Sequence, residues 1–125
     1  MLLKSRLHPI NFALSKRLLM LRRPIYQYLL GINGAVYLAW QTNIINKKFM
    51  LKHFTINKNS GRIFQLHNFI TQAFSHFKFT HLLNNMFTLF FFGKITELIF
   101  GPNTIFYLYL LGGLTGGYIS YKSDI

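Results

Sequence analysis

The sequence predicts an all-α, polytopic membrane protein with about three transmembrane helices and interfacial helices between them. Three observations point there. Hydrophobic residues make up 51% of the 125 residues and aromatics 18%, which is rich for a soluble domain of this size with its large polar surface. The apolar residues concentrate in three runs, 25–41, 81–100 and 103–121. Fourteen Lys and Arg face two acids, Glu97 and Asp124, giving a net charge of +12. Such a charge suits nucleic acid or an anionic membrane. No nucleic-acid motif accompanies it, and the apolar runs favour the membrane, so no nucleic-acid partner is expected. The absence of cysteine excludes disulfides and thiolate metal sites.

Residues 1–24 read as a basic amphipathic segment and residues 25–125 as the membrane domain. The first 23 residues carry six basic side chains and no acid. After Pro9, Ile10, Leu14, Leu18 and Leu21 recur at helical spacing, with Lys16 and Arg17 off that line. This pattern fits a helix lying on an anionic surface and a mitochondrial targeting segment; a plain solvated flank would show the same charge. The first span, 25–41, begins after Pro24, a residue suited to helix starts. Its length is marginal for a bilayer. Tyr26, Tyr28 and Trp40 near its ends suit the interface, and Gly31, Asn33, Gly34 and Ala35 suggest a packed face.

Residues 42–80 form a long basic connection. A turn is expected at Ile56–Arg62, followed by an interfacial helix with Ile63, Leu66, Ile70 and Ala73 on one face. The second span, 81–100, ends at Gly101-Pro102. The third, 103–121, holds two overlapping small-xxx-small pairs, Gly112 with Gly116 and Gly113 with Gly117, a spacing that lets helices approach closely. The N-terminal flank and the 42–80 loop carry six basic residues each, so charge sets no orientation. Their flanks are expected to meet anionic, cardiolipin-like lipid.

The entrance to the second span carries the chemistry. His81, Asn85 and Thr88 share one helical face, with Asn84 beside them. Polar groups in hydrocarbon need partners, so this face should look into protein or a cavity. A histidine there can hold a proton near neutral pH, and an asparagine amide can donate to a developing oxyanion. The same residues would also serve as hydrogen-bonding contacts between helices. A metal site from His53, His67, His76 and His81 is not expected, because their spacings match no standard motif and no carboxylate lies nearby. No cofactor is expected either.

The segment from Gly61 to Ser120 resembles the rhomboid intramembrane serine protease family, mitochondrial type, N-terminal half. The likeness rests on F-S-H at 74–76, then H-x-x-x-N-M at 81–86, F-F-G at 91–93, Glu97, Gly101 and Y-L-x-x-G-x-x-G-G ending at Gly117. The resemblance implies that His76, His81 and Asn85 line the oxyanion side of the active site. It also implies an N-terminus on the matrix side of the mitochondrial inner membrane. The family's nucleophile, a serine in G-x-S-G on its fourth helix, and its base, a histidine on its sixth, have no counterpart here. Gly113-Leu114-Thr115-Gly116 imitates G-x-S-G but falls on the third helix with no histidine after it, so Thr115 is expected to pack. Ser75, within F-S-H, is expected to be structural.

The expectation is therefore a pseudoprotease with no catalytic residue and with vestigial oxyanion-side residues His76, His81 and Asn85. It would act as a non-catalytic structural or accessory subunit of a larger mitochondrial inner-membrane complex, of respiratory-chain or ATP-synthase type. Its partners would be other membrane subunits docked through Gly112, Gly113, Gly116 and Gly117. The alternative is one half of a split rhomboid endopeptidase whose partner chain brings serine and histidine. A module that binds client transmembrane segments is a third reading.

Overall fold

A computed structural model describes Leu14 and residues 23–123, which are mostly helical, with no strand among them. The amphipathic helix expected at residues 1–24 otherwise lies outside the described residues. Helix α1 spans Ile25–Thr42, α2 Lys47–His53, α3 Asn68–Thr71, α4 Phe79–Phe100 and α5 Pro102–Ser123, with 3-10 turns at Ile63–Gln65 and Gln72–Phe74.

Local signals explain the ends. Asn43 closes α1 in the left-handed region (φ 55°), a conformation asparagine tolerates better than most residues. The Asn46 carboxamide accepts from the Lys48 amide at 2.8 Å and starts α2. Gly101, at φ 90°, turns the chain between α4 and α5, where a residue with a Cβ would be strained. Pro102 then occupies the first helical position, where its missing N–H costs no bond.

All three apolar runs form long helices, but no described helix is long and apolar enough to cross a membrane. Three transmembrane spans are thus not carried by length and hydropathy. The reasons are visible in the chain. Helix α1 has 18 residues, about 27 Å at 1.5 Å per residue against a hydrocarbon core of about 30 Å. Helix α4 holds His81, Asn84, Asn85, Lys94 and Glu97, and α5 is diluted by four glycines, Asn103 and Thr104.

The interfacial helix expected over 63–73 is also corrected. The segment breaks into a 3-10 turn, the one-turn α3 and a second 3-10 turn. Its apolar residues Ile63 and Ile70 are exposed, while Gln65 and Asn68 are buried. The Asn68 amide reaches the carbonyls of Lys52 (2.9 Å) and Thr55 (3.0 Å). A buried amide needs such partners, and meeting them outweighs the apolar periodicity.

The core is small. Tyr26, Leu29, Leu89 and Ile105 form its centre, with Phe74, Met86 and Tyr109 packed against it, so α1, α4 and α5 meet around one cluster. Gly93 allows the crossing: an added Cβ there would lie 3.0 Å from Tyr26 Cβ. Of the small face read at 31–35, Asn33 alone is buried; a Cβ on Gly31 or Gly34 would meet nothing within 4 Å.

Candidate functional site

The chain enters α4 through a short extended stretch at residues 75–78, pinned from two sides. Trp40, near the end of α1, donates its indole N–H to Ser75 Oγ at 2.7 Å. Gln41 donates to the Phe77 carbonyl at 3.1 Å. From the opposite side, the Tyr109 hydroxyl on α5 donates to the Ala73 carbonyl (2.7 Å) and accepts from Asn33 Nδ2 (2.8 Å). Part-buried hydrogen bonds from two helices to one short segment favour a single arrangement of it. Helices α1 and α5 therefore hold the backbone just before His76.

His76 is buried, 5% exposed. Its Nε2 lies 2.8 Å from Asn85 Nδ2. With the amide nitrogen donating, Nε2 accepts and the neutral ring carries its proton on Nδ1. That Nδ1 has no hydrogen-bond partner among the described residues. Burial lowers the His76 pKa from its ordinary 6.5, the nearby His81 lowers it further, and the Phe74 backbone opposes both. Asn85 keeps a second amide hydrogen on the donating nitrogen.

Of the three residues read as oxyanion-side, His76 and Asn85 are joined directly. His81 is exposed and makes no hydrogen bond to them; its ring meets His76 edge to face, with centroids 5.0 Å apart. His76, Asn85 and Thr88 open onto a groove of about 420 Å3 whose far wall includes Ile105, Tyr109 and Gly112. Thr88 is exposed and its hydroxyl donates to the Asn84 carbonyl at 3.0 Å, so it contributes a methyl more than a free donor.

The hydroxyls weighed as nucleophiles are occupied elsewhere. Thr115 donates to the Leu111 carbonyl at 2.8 Å on an exposed face. Ser75 accepts from Trp40. Among the described residues no serine or threonine hydroxyl bonds a histidine ring nitrogen, the pairing by which a histidine base activates a hydroxyl. The histidines group as two separate pairs, His76 with His81 and His53 with His67, the latter 2.8 Å apart between Nδ1 and Nε2. No group of three or more His, Cys, Asp or Glu stands ready for a metal among the described residues.

The glycines divide by face. A Cβ on Gly113 would lie 2.5 Å from Ala73 Cβ, and one on Gly117 2.8 Å from Gln72 Nε2. Both therefore pack against the turn before the site, and Gln72 donates to the Gly113 carbonyl at 2.7 Å. Gly112 and Gly116 face open space. The role of Tyr109 was not apparent in the sequence; its signal is a lone hydroxyl facing a mid-helix asparagine across the bundle, which no single-helix pattern displays.

The His76–Asn85 contact makes a pH prediction. A histidine whose pKa is lowered by folding stays neutral in the fold while the unfolded ring protonates, so stability is whole above 6.5 and falls as pH drops through 6.5 toward the folded value. The Asn85 side-chain amide resonance should shift between pH 7.5 and about 5, and His76→Gln should abolish that titration.

The family description "Rhomboid domain" matches residues 64–124. RHOMBOID-like protein 12, mitochondrial, of Arabidopsis thaliana is 38% identical over 84 residues, which are 67% of this chain and 24% of that protein. Rhomboid-like protein 16, chloroplastic, of the same plant is 34% identical over 84 residues, 67% of this chain and 26% of that protein. Presenilin-associated rhomboid-like protein A, mitochondrial, of Danio rerio is 27% identical over 93 residues, 74% of this chain and 24% of that protein. The chain thus spans about a quarter of the length of these curated relatives. No solved structure matches.

Proposed function

Over residues 64–124 the chain belongs to the rhomboid family, mitochondrial type, and from that premise we propose that it acts as a non-catalytic rhomboid-like subunit of a larger mitochondrial inner-membrane assembly. The observation that carries this reading is a formed His76–Asn85 contact with no serine or threonine hydroxyl bonded to a histidine ring nitrogen among the described residues. The second Asn85 amide hydrogen can bind a carbonyl or an oxyanion, and binding alone does not cleave a peptide bond. Much of the long helices' surface supports membrane placement and partners. Leu98 is 85% exposed, Phe100 68% and Phe92 67%, and apolar area of this extent calls for lipid or protein. Helices from neighbouring subunits would cover the groove at His76 and the open side of Gly112 and Gly116. The mitochondrial names of two relatives support the compartment.

The same pair favours a second reading, in which this chain is one half of a rhomboid serine endopeptidase and a companion supplies nucleophile and base. Purification of the assembly from mitochondria in mild detergent, followed by labelling with a serine-directed fluorophosphonate, separates the two. A fixed set of unlabelled membrane subunits is the expected result. A labelled companion would establish the endopeptidase. A chain that purifies alone, stable and monodisperse, would overturn both.

A further inference from the structure

The connection between α1 and α4 carries charge of one sign. Lys48 and Lys52 stand one turn apart on α2, and with Leu51, Asn57, Asn59 and Gln65 they line a recess of about 400 Å3. Two ammonium groups at this spacing repel each other. Neither meets an acid among the described residues, whose single carboxylate, Glu97, is engaged at the amides of Ile25 and Tyr26. The Asn57 carboxamide oxygen is taken up inside the turn, accepting from the Asn59 amide at 2.9 Å, while the Asn59 side chain bonds no described residue. The recess is thus lined by two cations without an acidic partner and an amide without a side-chain bond among the described residues, a set of donors suited to a phosphate.

Exposed apolar side chains lie on α2 and just before it, Leu51 among them lining the recess itself. Phe49 is 48% exposed, Leu51 53% and Ile44 84%. Cations interleaved with exposed Phe49 and Leu51 on one short helix, with exposed Ile44 just before it, mark a bilayer surface. We propose that this recess binds the phosphate headgroup of an anionic phospholipid, with Lys48 and Lys52 as its cationic contacts, Asn59 as a neutral donor, and Phe49 and Leu51 against the upper acyl chains. Of the reading above, this rests on the membrane placement alone and is indifferent to whether a protease is ever completed.

The test is native mass spectrometry of the full chain, released from neutral detergent micelles holding equal phosphatidylglycerol and phosphatidylcholine. The chain should retain phosphatidylglycerol preferentially, and K48Q/K52Q should lower that preference about twenty-fivefold, each juxtamembrane lysine contributing about fivefold. K48R/K52R should preserve it. The charge-matched K94Q/K122Q should preserve it as well, which separates a site from the overall positive charge. Equal loss in both glutamine doubles, no loss in K48Q/K52Q, or displacement of the lipid by inorganic phosphate would overturn the proposal. A chain absent from the membrane fraction of cells would instead remove the membrane reading itself.

Discussion

Gly113→Ala should destabilise the fold by about 1–3 kcal/mol, the usual cost of overpacking a tight contact, whereas Gly112→Ala should be neutral or stabilising by up to about 1 kcal/mol. The two substitutions gain the same helix propensity, so their difference isolates the contact. At Gly113 the new methyl would lie 2.5 Å from Ala73 Cβ; at Gly112 it would meet nothing within 4 Å. The Ala73 side cannot yield cheaply, because its carbonyl accepts from Tyr109 and Gln72 bonds the Gly113 carbonyl. Separating α5 from this turn would also loosen the backbone that carries His76. Thermal unfolding followed by circular dichroism checks the pair, with Asn85 amide chemical shifts reporting on the site. Equal effects at both glycines would refute the packing assignment.

Glu97→Ala should cost about 2–4 kcal/mol, the range for losing charged hydrogen bonds and leaving their donors bare. The Glu97 carboxylate accepts from the Ile25 amide at 2.9 Å and the Tyr26 amide at 3.1 Å. Those are orphan donors of the first turn of α1, and Pro24 offers no side-chain cap. The negative charge also faces the positive end of the helix dipole. Glu97→Gln keeps one neutral acceptor and should lose roughly half as much. Hydrogen exchange at Ile25 and Tyr26 should accelerate more than exchange in the middle of α4. Uniform acceleration throughout would mean that Glu97 supports the whole fold and not the start of α1.

Several features are legible because they are local. Helix boundaries near 25 and 101 follow from Pro24 and Gly101-Pro102. His81, Asn85 and Thr88 share a face because helical spacing requires it. The 63–73 segment misleads for an equally physical reason. Apolar periodicity there competes with the need to satisfy the buried Asn68 amide, and an amide's demand depends on what folds over it. Glu97 reads as a lone acid in an apolar run; its partners lie 71 and 72 residues away.

Sequence by itself determined the helical class of the described residues, the rhomboid likeness, and the residue types that stand at the mouth of α4. Tertiary structure alone decided that His76, from the loop, bonds Asn85, while His81, on the same helix as Asn85, reaches His76 only with its ring edge. It also decided that Gly113 and Gly117 are packed and Gly112 and Gly116 open. The reason is common to both: spacing along a helix defines its faces, but which face is covered depends on how the neighbouring segments are docked. Here the Asn33–Tyr109–Ala73 and Trp40–Ser75 bonds do that docking, through contacts too distant in sequence for any local pattern to contain.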